Sequence, residues 1–291
     1  FLTVWLKCLL TMEKSKSHPF AANLVFFQDL LKSAQVLHHV ADHYYYSLIS
    51  QIQKRKHCNK IYTHKVIKGS TTYCKWKNMD YLKLREQMVF QQIEKRGVKD
   101  KAVLQAMRTV PRHLFVAERF LSEAYYDYPL PIGYKQTISQ PYIVALMTEL
   151  LQLKPYHKVL EIGTGCGYQT AILAEIADKV YTVEIVPELA ELAKKNLQKL
   201  SYRNIYSKQG DGLIIWKDEA PFDRIIVTAA PYLLPQDLVK QLSIGGYMII
   251  PIGSYPQILY SVFRKSENQI EKQIISHVAF VPMTGKVEDK Y

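Results

Sequence analysis

From residue 79 onward the apolar positions of the chain follow two successive regimes. As far as about residue 151 they recur at helical spacing. Leu82, Val89, Phe90 and Ile93 predict one face of a helix that ends at Gly97. Asp100 is placed to cap a second helix, with Val103, Leu104, Met107 and Val110 apolar and Pro111 as its stop. Arg112–Phe120 predicts a short helix and Ala124–Tyr128 an aromatic turn, completing a small helical cap. After Val159 the apolar residues contract into short continuous runs. These are Val159–Ile162, Val180–Val183, Phe222–Val227 and Gly245–Ile250, with the short stretch Asn204–Ser207 after the second, separated by helical stretches such as Tyr168–Ala177. Continuous apolar runs alternating with helices predict a doubly wound, mostly parallel α/β sheet with helices on both faces. A ligand of such a sheet sits at the carboxyl ends of its strands.

Between the two regimes lies Pro129–Pro141, PLPIGYKQTISQP. Pro129, Pro131 and Gly133 predict an extended, turning loop that presents the hydroxyls of Thr137 and Ser139. Pro141 suits the first position of a helix whose apolar stripe is Ile143, Met147, Leu150 and Leu151. The loop therefore ends at a helix N-terminus, where amides and dipole favour an anion. The plainer reading is that Ser139 or Thr137 caps that helix.

Composition changes the picture mainly at the amino end. The chain carries a formal net charge of +12, but residues 1–78 hold 12 of the Lys and Arg against 3 of the Asp and Glu. The remainder is near neutral, which argues against a domain built to grip phosphate backbones. Residues 1–78 also hold three of four cysteines and six of nine histidines. Asn23–Tyr46 has some helical spacing. His38, His39 and His43 are read as packed or solvated rather than metal-binding, and Gln53–Lys56 with Lys60, Lys65 and Lys68 as a solvated basic surface. Met79 resembles a natural start, so residues 1–78 are expected to be a basic extension of unknown role, apart from a working domain over 79–291. Within that domain 79–141 form the cap and substrate loop, and 142–291 the cofactor-binding sheet. No apolar run approaches the roughly 18 residues of a membrane span. Cys8, Cys58, Cys74 and Cys166 have no metal spacing, and a cytoplasmic setting is expected.

The chemistry centres on VLEIGTGCGY, residues 159–168. Gly163, Gly165 and Gly167 alternate after Glu161, and glycine lets the backbone turn tightly and approach a ligand. The dinucleotide spacing is G-x-G-x-x-G, which this is not. Glu184 closes the second run, where a carboxylate can accept both hydroxyls of a ribose. Asp211, in Gly210-Asp211-Gly212, is placed to accept from an adenine amino group. In order and spacing these stations resemble the class I S-adenosylmethionine-dependent methyltransferases.

Residues 79 to about 285 further resemble the protein-L-isoaspartate O-methyltransferase family, in its bacterial form. The resemblance is carried by RTVPRHLFV (108–116), PIGYKQTISQPYIVALMTELL (131–151), VLEIGTGCGYQTAILAEIA (159–177), GDG (210–212), PFDRIIVTAAP (221–231) and FVPMTGK (280–286). It implies repair of damaged proteins by methyl transfer from S-adenosylmethionine to the α-carboxylate of L-isoaspartyl residues. It assigns Glu161, Gly163, Thr164, Gly165 and Gly167 to the glycine turn at the cofactor, Glu184 to its ribose, and Asp211 with Gly212 to its adenine. Thr228 and Ala229 close the cofactor floor. Thr137, Ile138 and Ser139 hold the isoaspartyl carboxylate, with Ser139 the catalytic candidate, and Val281 and Pro282 pair with the substrate backbone. Cys166 stands where the family usually has a small Ser-like residue, a thiol that oxidation could reach. The resemblance implies a cytosolic monomer with isoaspartyl proteins as substrates, and no metal, nucleic-acid or membrane partner. The competing readings are a methyltransferase of RNA or small molecules, and a non-catalytic cofactor-binding adaptor.

Overall fold

The computed structural model describes residues 79–285. The expectations for Asn23–Tyr46, the three histidines and the basic stretch lie outside these residues, as does Lys286 of the last motif. The first described helix, α1 (Tyr81–Met88), is capped by Asp80, whose carboxylate accepts from Lys83 N–H at 3.0 Å. It runs into a π-helical turn over Val89–Ile93 and a tight turn over Glu94–Arg96, and stops at Gly97 with φ 102°. The wider π turn rotates the face that follows it. Met88, Val89 and Ile93 are buried, whereas Leu82 and Phe90, expected on the same face, are 68% and 48% exposed.

Helix α2 (Lys101–Thr109) begins at Asp100, which accepts from the amides of Ala102 and Val103, and buries Val103, Leu104 and Met107. Two short 3-10 turns, Arg112–Phe115 and Glu118–Glu123, replace the single short helix expected over Arg112–Phe120. The loop at Pro129–Pro141 is more ordered than its sequence suggests. Leu130–Gly133 (β1) and Gln136–Ile138 (β2) pair antiparallel, with Leu130 opposite Ile138 and Pro131 opposite Thr137. Helix α3 (Pro141–Leu150) has proline at its first position, as expected. It buries Val144, Ala145, Met147 and Thr148, so its inner face lies one residue round from the predicted stripe, leaving Ile143 and Leu150 half-buried.

The main sheet has the order β5-β4-β3-β6-β7-β8-β9. Its strands are β3 (Lys158–Ile162), β4 (Lys179–Glu184), β5 (Ile205–Gln209), β6 (Phe222–Val227), β7 (Leu242–Ile252), β8 (Gln257–Arg264) and β9 (Ile270–Val278). The first five are parallel to one another, and β8 and β9 add an antiparallel extension that the glycine and carboxylate pattern did not announce. Helices α4 (Tyr168–Ala174), α5 (Pro187–Gln198) and α6 (Gln236–Gln241) complete the layers. Helix α4 ends before the predicted Ala177, because the Asn204 amide binds the carbonyls of both Ala174 and Ala177.

Alternate residues of β3 face opposite cores. Val159 joins Met107, Phe115, Met147, Ile172 and Ile249 on one side; Leu160 and Ile162 join Leu213, Trp216, Ile225 and Leu238 on the other. The chain proceeds from β3 through β4 to β5, then returns to place β6 and β7 on the other side of β3. The reversal between β3 and β6 is the switch point at which a doubly wound sheet opens a crevice.

Candidate active site

At that switch point β3 runs into the glycine turn. Gly163, Gly165 and Gly167 have φ of 95°, 56° and 90°, left-handed values that side chains resist. The turn is fastened to both neighbouring strands. Gly163 and Thr164 donate their amides to Val183 O at 2.9 and 3.1 Å. On the other side the Thr228 hydroxyl donates to Ile162 O and Gly163 O at 3.0 and 2.7 Å, and a Cβ on Gly163 would overlap that hydroxyl. Glycine here serves both the backbone angle and the close packing of β6. A Cβ on Gly167 would press on Leu197 of α5, and one on Gly165 would touch Ile132 of the hairpin at 3.4 Å.

Three carboxylates surround the turn, and they differ in reach. Glu184 ends β4 and accepts from Gly165 N–H at 2.7 Å and Val186 N–H at 3.0 Å, leaving further lone pairs. Asp211, half-buried beyond β5, accepts from Leu213 N–H at 2.8 Å, and Gly285 crosses so closely that a Cβ there would lie 2.7 Å from its Oδ2. Gly212 packs against Ile162 and leaves no room for a side chain. Glu161 is wholly buried on the face of β3 that meets α4. Its Oε2 accepts from the hydroxyls of Thr170 at 2.5 Å and Thr182 at 2.7 Å, and Oε1 has no partner among the described residues. Burial pushes its pKa up from 4.5 to about 8, against the pull of the two hydroxyls, with the Glu184 charge adding to the rise. Glu161 thus braces the turn from behind, and Thr164 joins the same chain through Thr182 at 2.6 Å. The sequence reading did not include Thr170 or Thr182; a threonine inside the otherwise apolar run VYTV was the available signal.

The hairpin lies over this turn through Ile132, and carries Thr137 exposed, Ile138 buried and Ser139 half-buried. The expectation that Ser139 or Thr137 caps α3 is not met. Gln140 occupies the cap position without a capping bond, and Asp127 from the aromatic turn accepts the Tyr142 amide at 3.1 Å. The Ser139 hydroxyl has no hydrogen-bond partner among the described residues. Asp127 was missed because a cap supplied 15 residues upstream leaves no local signature.

Thr228 and Ala229 follow β6 directly, and Ala230 pairs with the C-terminal segment opposite Pro282. Ala230 N–H donates to Val281 O, and Met283 N–H to Ala230 O, both at 2.8 Å. Gln257 holds Phe280 from the other side, donating to its carbonyl at 3.1 Å and accepting from its amide at 2.9 Å. Val281 and Pro282 therefore lie beyond β9, the last described strand, which ends at Val278, and the Val281 carbonyl is already engaged. Cys166 is buried, its carbonyl bound by Asn196 and its thiol pushed up to about 11 by burial, so little reactive thiolate forms there. Among the described residues no group of three His, Cys, Asp or Glu could hold a metal ion.

A glycine turn at the switch point, with carboxylates at the ends of the two strands beyond it, defines the class I methyltransferase fold. The chain belongs to the protein-L-isoaspartate (D-aspartate) O-methyltransferase family, whose model matches residues 83–288. A protein-L-isoaspartate O-methyltransferase of Picosynechococcus is 55% identical over 202 residues, spanning 69% of this chain and 90% of its own. That of Dictyoglomus thermophilum is 54% identical over 191 residues, 65% of this chain and 86% of its own. A solved protein-L-isoaspartate O-methyltransferase superposes with a TM-score of 0.64 at 29% identity, covering 70% of this chain and 67% of its own. A Plasmodium falciparum structure bearing the same family name, in complex with S-adenosyl-L-homocysteine, gives 0.60 at 28% identity, covering 70% and 98%.

Proposed function

We propose that this enzyme, a protein-L-isoaspartate O-methyltransferase, binds the isoaspartyl carboxylate at Thr137–Ser139 and uses the Ser139 hydroxyl to hold it in line for transfer. The activity is methyl transfer from S-adenosyl-L-methionine to the α-carboxylate of L-isoaspartyl residues, releasing S-adenosyl-L-homocysteine. The observation that carries the residue assignment is the seating of the Thr137–Ser139 hairpin directly over the glycine turn, through Ile132 and Gly165.

The residues present fit the cofactor. Gly163–Gly167 offer a backbone without side chains, Glu184 retains acceptor capacity at the end of β4, and Asp211 stands at the end of β5. Thr164, Gly212, Thr228 and Ala229 complete the cradle, and Glu161 holds its shape. S-adenosyl-L-methionine supplies a methyl group on a positively charged sulfur. When bound, it would give that methyl to a carboxylate oxygen of the substrate and leave as S-adenosyl-L-homocysteine, the bonding pair staying on sulfur. No proton moves, because the carboxylate is already ionised near neutral pH. A general base is therefore not required, consistent with a hydroxyl rather than a histidine beside the reacting position. Ser139 and Thr137 donate to the carboxylate, Ile138 packs beneath them, and catalysis comes from alignment and exclusion of water. Val281 and Pro282 border the crevice beside Ala230, where a substrate backbone would lie.

The same reading makes damaged proteins the clients of a monomeric cytoplasmic enzyme without nucleic-acid or membrane partners. No described helix is long and apolar enough to cross a membrane. Repair itself provides the test. The methyl ester cyclises to a succinimide, whose hydrolysis returns some normal aspartate. An isoaspartyl peptide incubated with the enzyme and cofactor should convert progressively to its aspartyl form, resolved by chromatography; no conversion beyond the cofactor-free control contradicts the reading.

A further inference from the structure

Ser139 lies between two independently anchored stretches of backbone. On one side Ile138 is paired with Leu130 in the hairpin. On the other, a single carboxylate holds both Gln140 and Tyr142. Asp127 Oδ1 accepts from Tyr142 N–H at 3.1 Å, and Oδ2 accepts from Gln140 Nε2 at 2.7 Å. The Asp127 carbonyl accepts from the same amide nitrogen at 3.0 Å. Arg96 closes the cluster, pairing with Asp127 Oδ2 while its guanidinium stacks 3.5 Å from the centre of the Tyr142 ring.

The need for this arrangement follows from local chemistry. Pro141 has no N–H to offer, and the Gln140 side chain is turned away to Asp127, so α3 has no cap of its own. A helix N-terminus that follows a reactive loop would ordinarily attract the substrate's negative charge. Asp127 already occupies it, leaving an incoming carboxylate to the partnerless Ser139 hydroxyl. From this we propose that Asp127 is a positioning residue for methyl transfer. It acts through Gln140 and Tyr142 to fix the rotation of the backbone that carries Ser139. The inference rests on the assignment of Ser139 made above.

A merely structural cap would change stability and leave transfer by the folded enzyme intact, and a double-mutant comparison separates the two. With the full chain, Asp127→Ala should lower kcat/KM for an isoaspartyl peptide about tenfold or more, the scale of a sub-ångström loss of alignment. The affinity for S-adenosyl-L-homocysteine, measured by calorimetry, should stay within about twofold, because the bonds of Asp127 go to Arg96, Gln140 and Tyr142 and not to the glycine turn. Asp127→Ala added to Ser139→Ala should cost little more than Ser139→Ala alone. Asp127→Asn, which keeps an acceptor for the Tyr142 amide, should recover most of the loss. If Asp127→Ala does not fold, Asp127→Asn compared with Gln140→Ala carries the same test. Losses that add in the double variant, or an unchanged kcat/KM in folded Asp127→Ala, overturn the proposal. A wild-type chain that methylates no isoaspartyl peptide overturns the functional reading itself, and this inference with it.

Discussion

Glu161 and Thr170 share a 2.5 Å hydrogen bond wholly inside the protein, joining the strand that enters the glycine turn to the helix that leaves it. Burial keeps water from the carboxyl group and, against the pull of that bond, holds its proton to about pH 8. The sign of the consequence is fixed. In the unfolded chain Glu161 loses its proton near 4.5, while the folded chain keeps it until about 8. The stability due to the neutral form is complete below the lower value, falls across the window between them, and changes no further above it. Glu161→Gln, neutral throughout, should therefore gain thermal stability relative to the wild type as the buffer moves from pH 5 to 9. Parallel unfolding curves at every pH would contradict this account of Glu161.

Gly163 and Thr228 make a second pair. Gly163→Ala introduces a side chain at a left-handed φ, costing roughly 1–2 kcal/mol, and drives it into the Thr228 hydroxyl. The melting temperature should fall by about 5 °C or more. Thr228→Ala removes the overlap as well as a bond, so the double variant should lose less than the two single losses combined. Strict additivity in calorimetric melts would argue that the two residues do not meet.

Glu184 tests the cofactor side alone. Glu184→Gln keeps its volume but sets a donor against one of the two amides, Gly165 or Val186, that now donate to its two oxygens. Affinity for S-adenosyl-L-homocysteine should fall about tenfold or more, equivalent to roughly 1.4 kcal/mol or more. At saturating cofactor, the KM for peptide should move little. A change confined to peptide KM would place Glu184 in a different role.

Cys166 should be inert in the native state. With its thiol pushed up to about 11 and buried, alkylation at pH 8 should be slow in the folded protein and become rapid on denaturation. Rapid labelling of Cys166 in the folded enzyme, followed by peptide mapping, would show that the turn opens.

Much of this arrangement was legible in the chain because it is local. The glycine spacing, the carboxylates closing consecutive runs and the proline opening α3 each announce themselves within a few residues. The features that escaped depend on contacts between distant segments. The π turn after Met88 shifts the buried face that follows it and leaves Phe90 exposed. The hairpin at Leu130–Ile138 looked like a loop because its strands are short and the first contains Pro131. Asp127 caps α3 from the preceding turn, so the local preference of serine and threonine for caps pointed to the wrong residues. The bond from Ala230 to the Val281 carbonyl joins segments some 50 residues apart and has no local signature.

The most direct measurement is transfer of radiolabelled methyl to two matched peptides, one containing L-isoaspartate and one ordinary aspartate, by the wild type and by Ser139→Ala. The account predicts base-labile label on the isoaspartyl peptide alone. It also predicts a loss of about tenfold to a hundredfold in Ser139→Ala, the scale of one hydrogen bond to a charged group. Cofactor binding without label on either peptide, or full activity in Ser139→Ala, would contradict it.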